Sequence, residues 1–185
     1  MSSSERTLSG VFVVRNRSKT SVVCDAGPII HLDELECLHL MEDFERVFVP
    51  DVVRKEVLRY RDVAFKDSNV KWTEISHQSS VEAHLQAICK IFSLDAGEVA
   101  ALAFMSKEPG LLFLTDDAAA RLVATKLGYN VHGTIGILLR AIRRDLMKPK
   151  KVIDRIKLIP LQSSLYIKGS LLQEAISQVE QEFEL

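Results

Sequence analysis

The feature that most constrains this chain is an alternation of short apolar runs with segments of helical spacing. "TSVVCD" from Thr20, "RVFVP" from Arg46 and "GLLFLT" from Gly110 are such runs. Each is too short for a helix and lacks a polar side, as a strand buried on both faces would be. Between and after them come "GPIIHLDELECLHLMEDF", "DVVRKEVLRY" and "DDAAARLVATKLG", whose apolar residues recur at helical intervals. Strands alternating with helices predict a mainly parallel sheet with helices on both faces. The expected fold is therefore α/β, a three-layer sandwich around a central sheet, with a C-terminal helical extension.

Local signals place most boundaries. Pro28 suits a first helical turn, Asp51 reads as an N-cap, and Gly128 as a helix stop. "VKWTEIS" alternates like a strand without an evident place in the sheet. Helices are expected over 81–92 and 96–107, and "YNVH" is a brief strand before the helix "TIGILLRAIRRDL". A length of 185 residues allows one well-buried domain and an appendage. We divide it into a tail or extra strand (1–19, with the apolar island Val11–Val14), an α/β unit (20–147) and a helical extension (148–185).

Composition narrows the function classes. The formal net charge is -1, so a nucleic acid would have to meet a local basic patch. Cys24, Cys37 and Cys89 are far apart and show no zinc-ligand or disulfide spacing, which suggests reduced thiols in a cytoplasmic protein. Neither a signal-peptide core nor a run long enough to span a membrane occurs.

In sheets of this kind ligands bind beyond the carboxyl ends of the strands, so acids there are the residues to weigh. Asp25 ends the first strand, and Asp116 and Asp117 follow Thr115 at the end of a later one. Glu56 borders the apolar stripe Val53, Val57 and Tyr60, while Glu98 opens the nearly all-apolar "EVAALAF". Each has an ordinary explanation. Asp25 and one of the aspartate pair could cap helices, Glu56 could be a solvated surface acid, and Asp95 with Glu98 has capping-box spacing. Together they suggest more. Parallel topology would bring the two strand ends to one edge, and carboxylates gathered there need a cation to offset their repulsion. A hard divalent ion, Mg²⁺ or Mn²⁺, takes oxygen ligands and supports phosphoryl chemistry.

"VVCDAGPIIHL", "VFVPDVVRKEV", "LDAGEVAALAF" and "LFLTDDAAARLVATKLGYNVHGTIGILLRA" resemble the successive motifs of PIN-domain proteins, in particular the VapC-like branch of toxin–antitoxin loci. The resemblance runs from about Thr20 to Leu146. It implies a metal-dependent ribonuclease that leaves a 5′-phosphate. Asp25 would be the first-strand acid, Glu56 the helix acid, and Glu98 would stand where many relatives carry Asp. Asp117, or else Asp116, would be the last acid, with Thr115 supporting the site. Ala26 departs from the Ser or Thr that many relatives have after the first Asp. Expected partners are RNA, a protein antitoxin and, in a secondary reading, a second copy of the chain. The alternative is a non-catalytic module of the same fold.

Further features bear on substrate. Arg140, Arg143, Arg144, Lys148, Lys150, Lys151, Arg155 and Lys157 cluster along "RAIRRDLMKPKKVIDRIK", either as a phosphate track or, in the reading we favour, as a solvated surface. Arg121, one turn past Asp117, could hold the scissile phosphate or tether an acid. Leu172, Ala175, Ile176, Val179 and Phe183 form a stripe best suited to packing on the parent domain.

Overall fold

The computed structural model describes residues 19–66, 69–76, 81–108 and 110–184. The expected edge strand at Val11–Val14 lies outside the described residues. One sheet is built from β1 (Val22–Cys24), β2 (Val47–Pro50), β3 (Trp72–Ile75), β4 (Leu112–Leu114) and β5 (Asn130–His132). Its order is β3-β2-β1-β4-β5, and every neighbouring pair is parallel. "VKWTEIS" thus finds its place as edge strand β3, in register with β2 from Val47↔Trp72 to Pro50↔Ile75.

The helices are α1 (Ala26–Glu34), α2 (Asp51–Tyr60), α3 (Ala83–Ile91), α4 (Ala96–Met105), α5 (Ala118–Lys126), α6 (Thr134–Arg143), α7 (Pro149–Gln162) and α8 (Gly169–Glu182). The pleat of the central strands assigns them to layers, because successive side chains point to opposite faces. Val22, Cys24, Leu112 and Leu114 join one buried cluster with Ile29 of α1, Leu138 of α6 and Ile156 of α7. Val23 and Phe113 face the other way, against Leu102 of α4 and Val123 of α5. This is the three-layer α/β sandwich that the alternation predicts. Four members of the α8 stripe, Leu172, Ala175, Ile176 and Val179, are buried in the first cluster, whereas Phe183 lies at the helix C-cap and is exposed.

Two local features differ from the sequence reading. The long helical pattern after Gly27 is interrupted, since α1 stops at Glu34 and a 3-10 segment, Leu38–Asp43, follows. The stop is a Schellman motif: Cys37 N donates to Leu32 O at 2.7 Å and Glu36 N to Asp33 O at 3.0 Å. Glu36 takes the left-handed position, φ 54°, that glycine usually fills. Burial of Leu32 and Cys37, both fully enclosed, favours the turn over a further helical turn. At α2, Pro50 is the N-cap and Asp51 the first helical residue, where its charge still suits the helix dipole.

Sheet order decides where a ligand can approach. The chain adds strands outward from β1 through β2 to β3, then returns to β4 and β5 on the other side. The order therefore reverses between β1 and β4, and a crevice opens beyond their carboxyl ends. Asp25 follows β1 and Thr115 follows β4, so backbone alone brings them together. Asp25 N donates to Leu114 O at 2.9 Å, continuing the ladder past the last strand residue.

Candidate active site

Asp25 sits at the N-cap of α1, yet its side chain makes no capping hydrogen bond. Oδ2 is approached by the buried Thr115 hydroxyl, which donates at 3.4 Å. Oδ1 is buried and has no hydrogen-bond partner among the described residues. A buried carboxylate oxygen left unpaired is costly, so this atom needs either a proton or a cation. Burial is the main reason that the Asp25 carboxyl is pushed up to about 8. The Ala26 N–H opposes that shift, and Asp95, Glu98 and Glu56 add to it.

Glu98 enters from α4 on the opposite helix layer. It completes a full capping box: Glu98 N donates to Asp95 Oδ1, and Asp95 N to Glu98 Oε2, both at 2.9 Å. Capping does not exhaust its chemistry. Glu98 is only 5 % exposed, and the Asp117 carboxylate acts on it from the turn after β4. Burial first, then Asp95 and Asp117, raise the Glu98 carboxyl to about 7 against the pull of the Asp95 N–H. Glu56 on α2 is half-buried, and burial with the charge of Asp95 raises its pKa while Arg59 opposes.

Asp117 and Asp116 behave differently. Asp117 caps α5, its Oδ1 accepting from Ala120 N at 2.8 Å, while its own N–H donates to Thr115 Oγ1 at 3.1 Å. Asp116 faces α1 and α6. Its Oδ1 accepts from Thr134 N at 2.8 Å and its Oδ2 from Thr134 Oγ1 at 2.6 Å, with His31 Nδ1 2.8 Å from the same Oδ2. Burial works against ionisation of Asp116, but these bonds outweigh it and hold the pKa below the ordinary carboxylate value.

The structure thus gathers Asp25, Glu56, Glu98 and Asp117 into one electrostatic neighbourhood, with Asp116 turned to one side. Asp95, weighed from sequence only as a cap, belongs to the neighbourhood because its charge reaches Asp25, Glu56 and Glu98. The histidines, His31 among them, show no metal-ligand spacing in the sequence, and nothing there marks Thr134. His31 shares a helix with Asp25 but lies six residues away, a weak signal without the fold. Arg121 stands beside the cluster, its Nη2 donating to Thr115 O at 3.0 Å, which braces the turn after β4.

Close packing of α4 on α2 makes the gathering possible. A Cβ on Gly97 would lie 2.7 Å from Val53 Cγ2 and 3.5 Å from Asp25 Oδ1. Any larger residue there would push apart the helices that bring Glu98 to Asp25.

Three of the eight residues of the basic stretch, Arg140, Arg144 and Arg155, pair with carboxylates. Arg140 Nη2 and Arg144 Nε reach the buried Asp43 Oδ2 at 2.7 and 3.0 Å, and Arg155 Nη1 reaches Glu36 Oε2 at 3.3 Å. A separate groove of about 880 Å³ lies between α5, α6 and α8. Asp116, Arg121, Leu122, Leu139, Ile167 and Leu171 line it, but Asp25, Glu56, Glu98 and Asp117 do not.

The donor set suits a hard divalent cation in kind: every ligand is an oxygen, several are ionisable, and one buried oxygen is unpaired. Among the described residues no three His, Cys, Asp or Glu side chains already stand in ligating geometry. A cation would therefore have to draw the carboxylates inward.

A family model described as a PIN domain matches residues 21–181, nearly all of the described chain. No curated protein sequence matches the chain. Among the described residues no helix is long and apolar enough to cross a membrane.

Proposed function

The chain belongs to the PIN-domain family, a nuclease-type fold, and from that premise we propose that it is a Mg²⁺- or Mn²⁺-dependent endoribonuclease. The observation that carries this reading is the unpaired Asp25 Oδ1, buried at the sheet's switch point among Glu56, Asp95 and Glu98. Asp25, Glu98 and Asp117 would hold the cation, with Thr115 fixing one Asp25 oxygen. When bound, the ion supplies charge neutralisation at the phosphate and lowers the pKa of water. Glu56, nearer solvent and with a raised pKa, is suited to take a proton at its carboxylate as water adds to phosphorus. The P–O3′ bond breaks, leaving a 5′-phosphate and a 3′-hydroxyl.

We place the nuclease unit in 20–147, supported by the helical extension 148–185. A toxin role, with a protein antitoxin as partner and a cytoplasmic setting, is the biological context we favour. The buried free cysteines suit a reducing compartment. Cleavage of a 5′-labelled RNA with Mn²⁺, but not in EDTA, is the expected result, and Asp25→Asn should abolish it while the far-UV spectrum stays native. Wild-type protein that leaves RNA intact at saturating Mn²⁺ would reject the nuclease reading. The lack of three carboxylates in ligating geometry among the described residues favours one alternative, a non-catalytic RNA-binding or interaction module. Its signature is RNA binding with no Mn²⁺ heat in calorimetry.

A further inference from the structure

We propose that Asp116 is a positioning residue and not a cation ligand: with His31 and Thr134 it forms a clamp that sets where Thr115 and Asp117 stand. The inference rests on the reading of the acid cluster as a cation site and identifies which member of the adjacent pair serves it. Asp116 lies between the two residues of the β4–α5 turn that reach the site, Thr115 toward Asp25 and Asp117 toward Glu98. Its own carboxylate points elsewhere and is occupied at both oxygens. Thr134, fully buried at the start of α6, donates both its N–H and its hydroxyl, at 2.8 and 2.6 Å. His31 Nδ1 closes the third side, 2.8 Å from Asp116 Oδ2.

The surroundings crowd the carboxylate. A Cβ on Gly133 would fall 2.4 Å from Asp116 Oδ1 and 2.6 Å from Arg121 Nη2, so a side chain there would displace the two groups that hold the turn. Arg121 holds the same turn from its carbonyl side through Thr115 O. Three elements meet at Asp116: α1, whose first residues follow Asp25; the turn bearing Asp117; and α6. The clamp therefore fixes the relative placement of two proposed ligands without touching the ion, as outer partners of metal ligands commonly do.

Calorimetric titration with Mn²⁺ separates an anchor from a ligand. Asp117→Asn should remove binding. Asp116→Asn and His31→Ala should each weaken it roughly 10-fold, the scale of lost outer-sphere support. The double variant should be no weaker than the worse single, because both act through one carboxylate. Thr134→Val should show the same loss and Thr134→Ser should keep wild-type affinity. If Asp116→Asn abolishes binding while His31→Ala leaves it unchanged or tighter, Asp116 is a ligand and the proposal is overturned. Additive losses in the double variant overturn it as well. Amide exchange gives a metal-free readout: His31→Ala should speed exchange at the Asp117 and Ala120 N–H groups, which the turn protects. Unchanged exchange refutes the clamp. A wild type that binds no Mn²⁺, but whose amides respond this way, refutes the cation reading and leaves the clamp standing.

Discussion

Replacing Asp25 with asparagine should make the metal-free protein more stable at neutral pH, although the same change should end its activity. The carboxyl ionises near 3.8 when solvated and at about 8 in the folded site. Between those values the folded state binds more protons than the unfolded, so stability falls as pH rises through the window. At pH 7 the cost is about 4 kcal/mol, from the roughly three pH units above 3.8 at about 1.4 kcal/mol each. Asparagine is neutral throughout, and its amide oxygen can still accept from Thr115 Oγ1 in place of Asp25 Oδ2. The variant should therefore gain about 2–4 kcal/mol at pH 7, and the gain should vanish near pH 4. Urea unfolding followed by circular dichroism from pH 4 to 8 in EDTA reads this directly. Adding Mn²⁺ to 100 times its Kd should then stabilise the wild type by about 2.7 kcal/mol and leave the variant unmoved. A gap between the two proteins that is constant across pH, or an asparagine variant less stable at pH 7, would refute the reasoning.

Three other perturbations probe the frame around the site. Gly97→Ala should cost about 1–3 kcal/mol in urea unfolding and weaken Mn²⁺ binding, because the new methyl overlaps Val53 Cγ2; a stabilised variant would contradict the packing described. Asp43→Ala should cost about 3 kcal/mol by leaving Arg140 and Arg144 half-buried without their carboxylate. An unchanged unfolding midpoint would mean that water serves those guanidiniums equally well. The Cys24 thiol, fully buried and with its pKa pushed well up by burial and then by Asp25 and Asp116, should resist iodoacetamide in native protein. Rapid native alkylation, detected by mass spectrometry, would contradict that.

Much of the architecture was legible because it depends on short-range pattern. "SVVC" and "LLFL" carry no polar side, so they had to be covered on both faces, and the helical segments between them had to do the covering. The break after α1 was not legible, since Glu36 in a left-handed turn has no compositional signal where glycine would have had one. Asp25 and Glu98 could be named as candidates from their places at a strand end and a helix start. Their strong perturbation could not, because it comes from burial and from neighbours distant in the chain.

The pair Asp116 and Asp117 marks where sequence stopped and tertiary structure decided. Sequence alone determined that two carboxylates follow a buried strand and open a helix, and that one of them would cap it. It could not assign the roles, because either residue has the right chemistry and nearly the same position. The assignment depends on partners 85 and 18 residues from Asp116, His31 on α1 and Thr134 on α6. Only the folded sheet, with β1 beside β4 and β4 beside β5, brings those helices to either side of the turn. Side-chain direction at the turn is set by which neighbours offer hydrogen bonds there, a property of the packed molecule that adjacency in the chain does not encode.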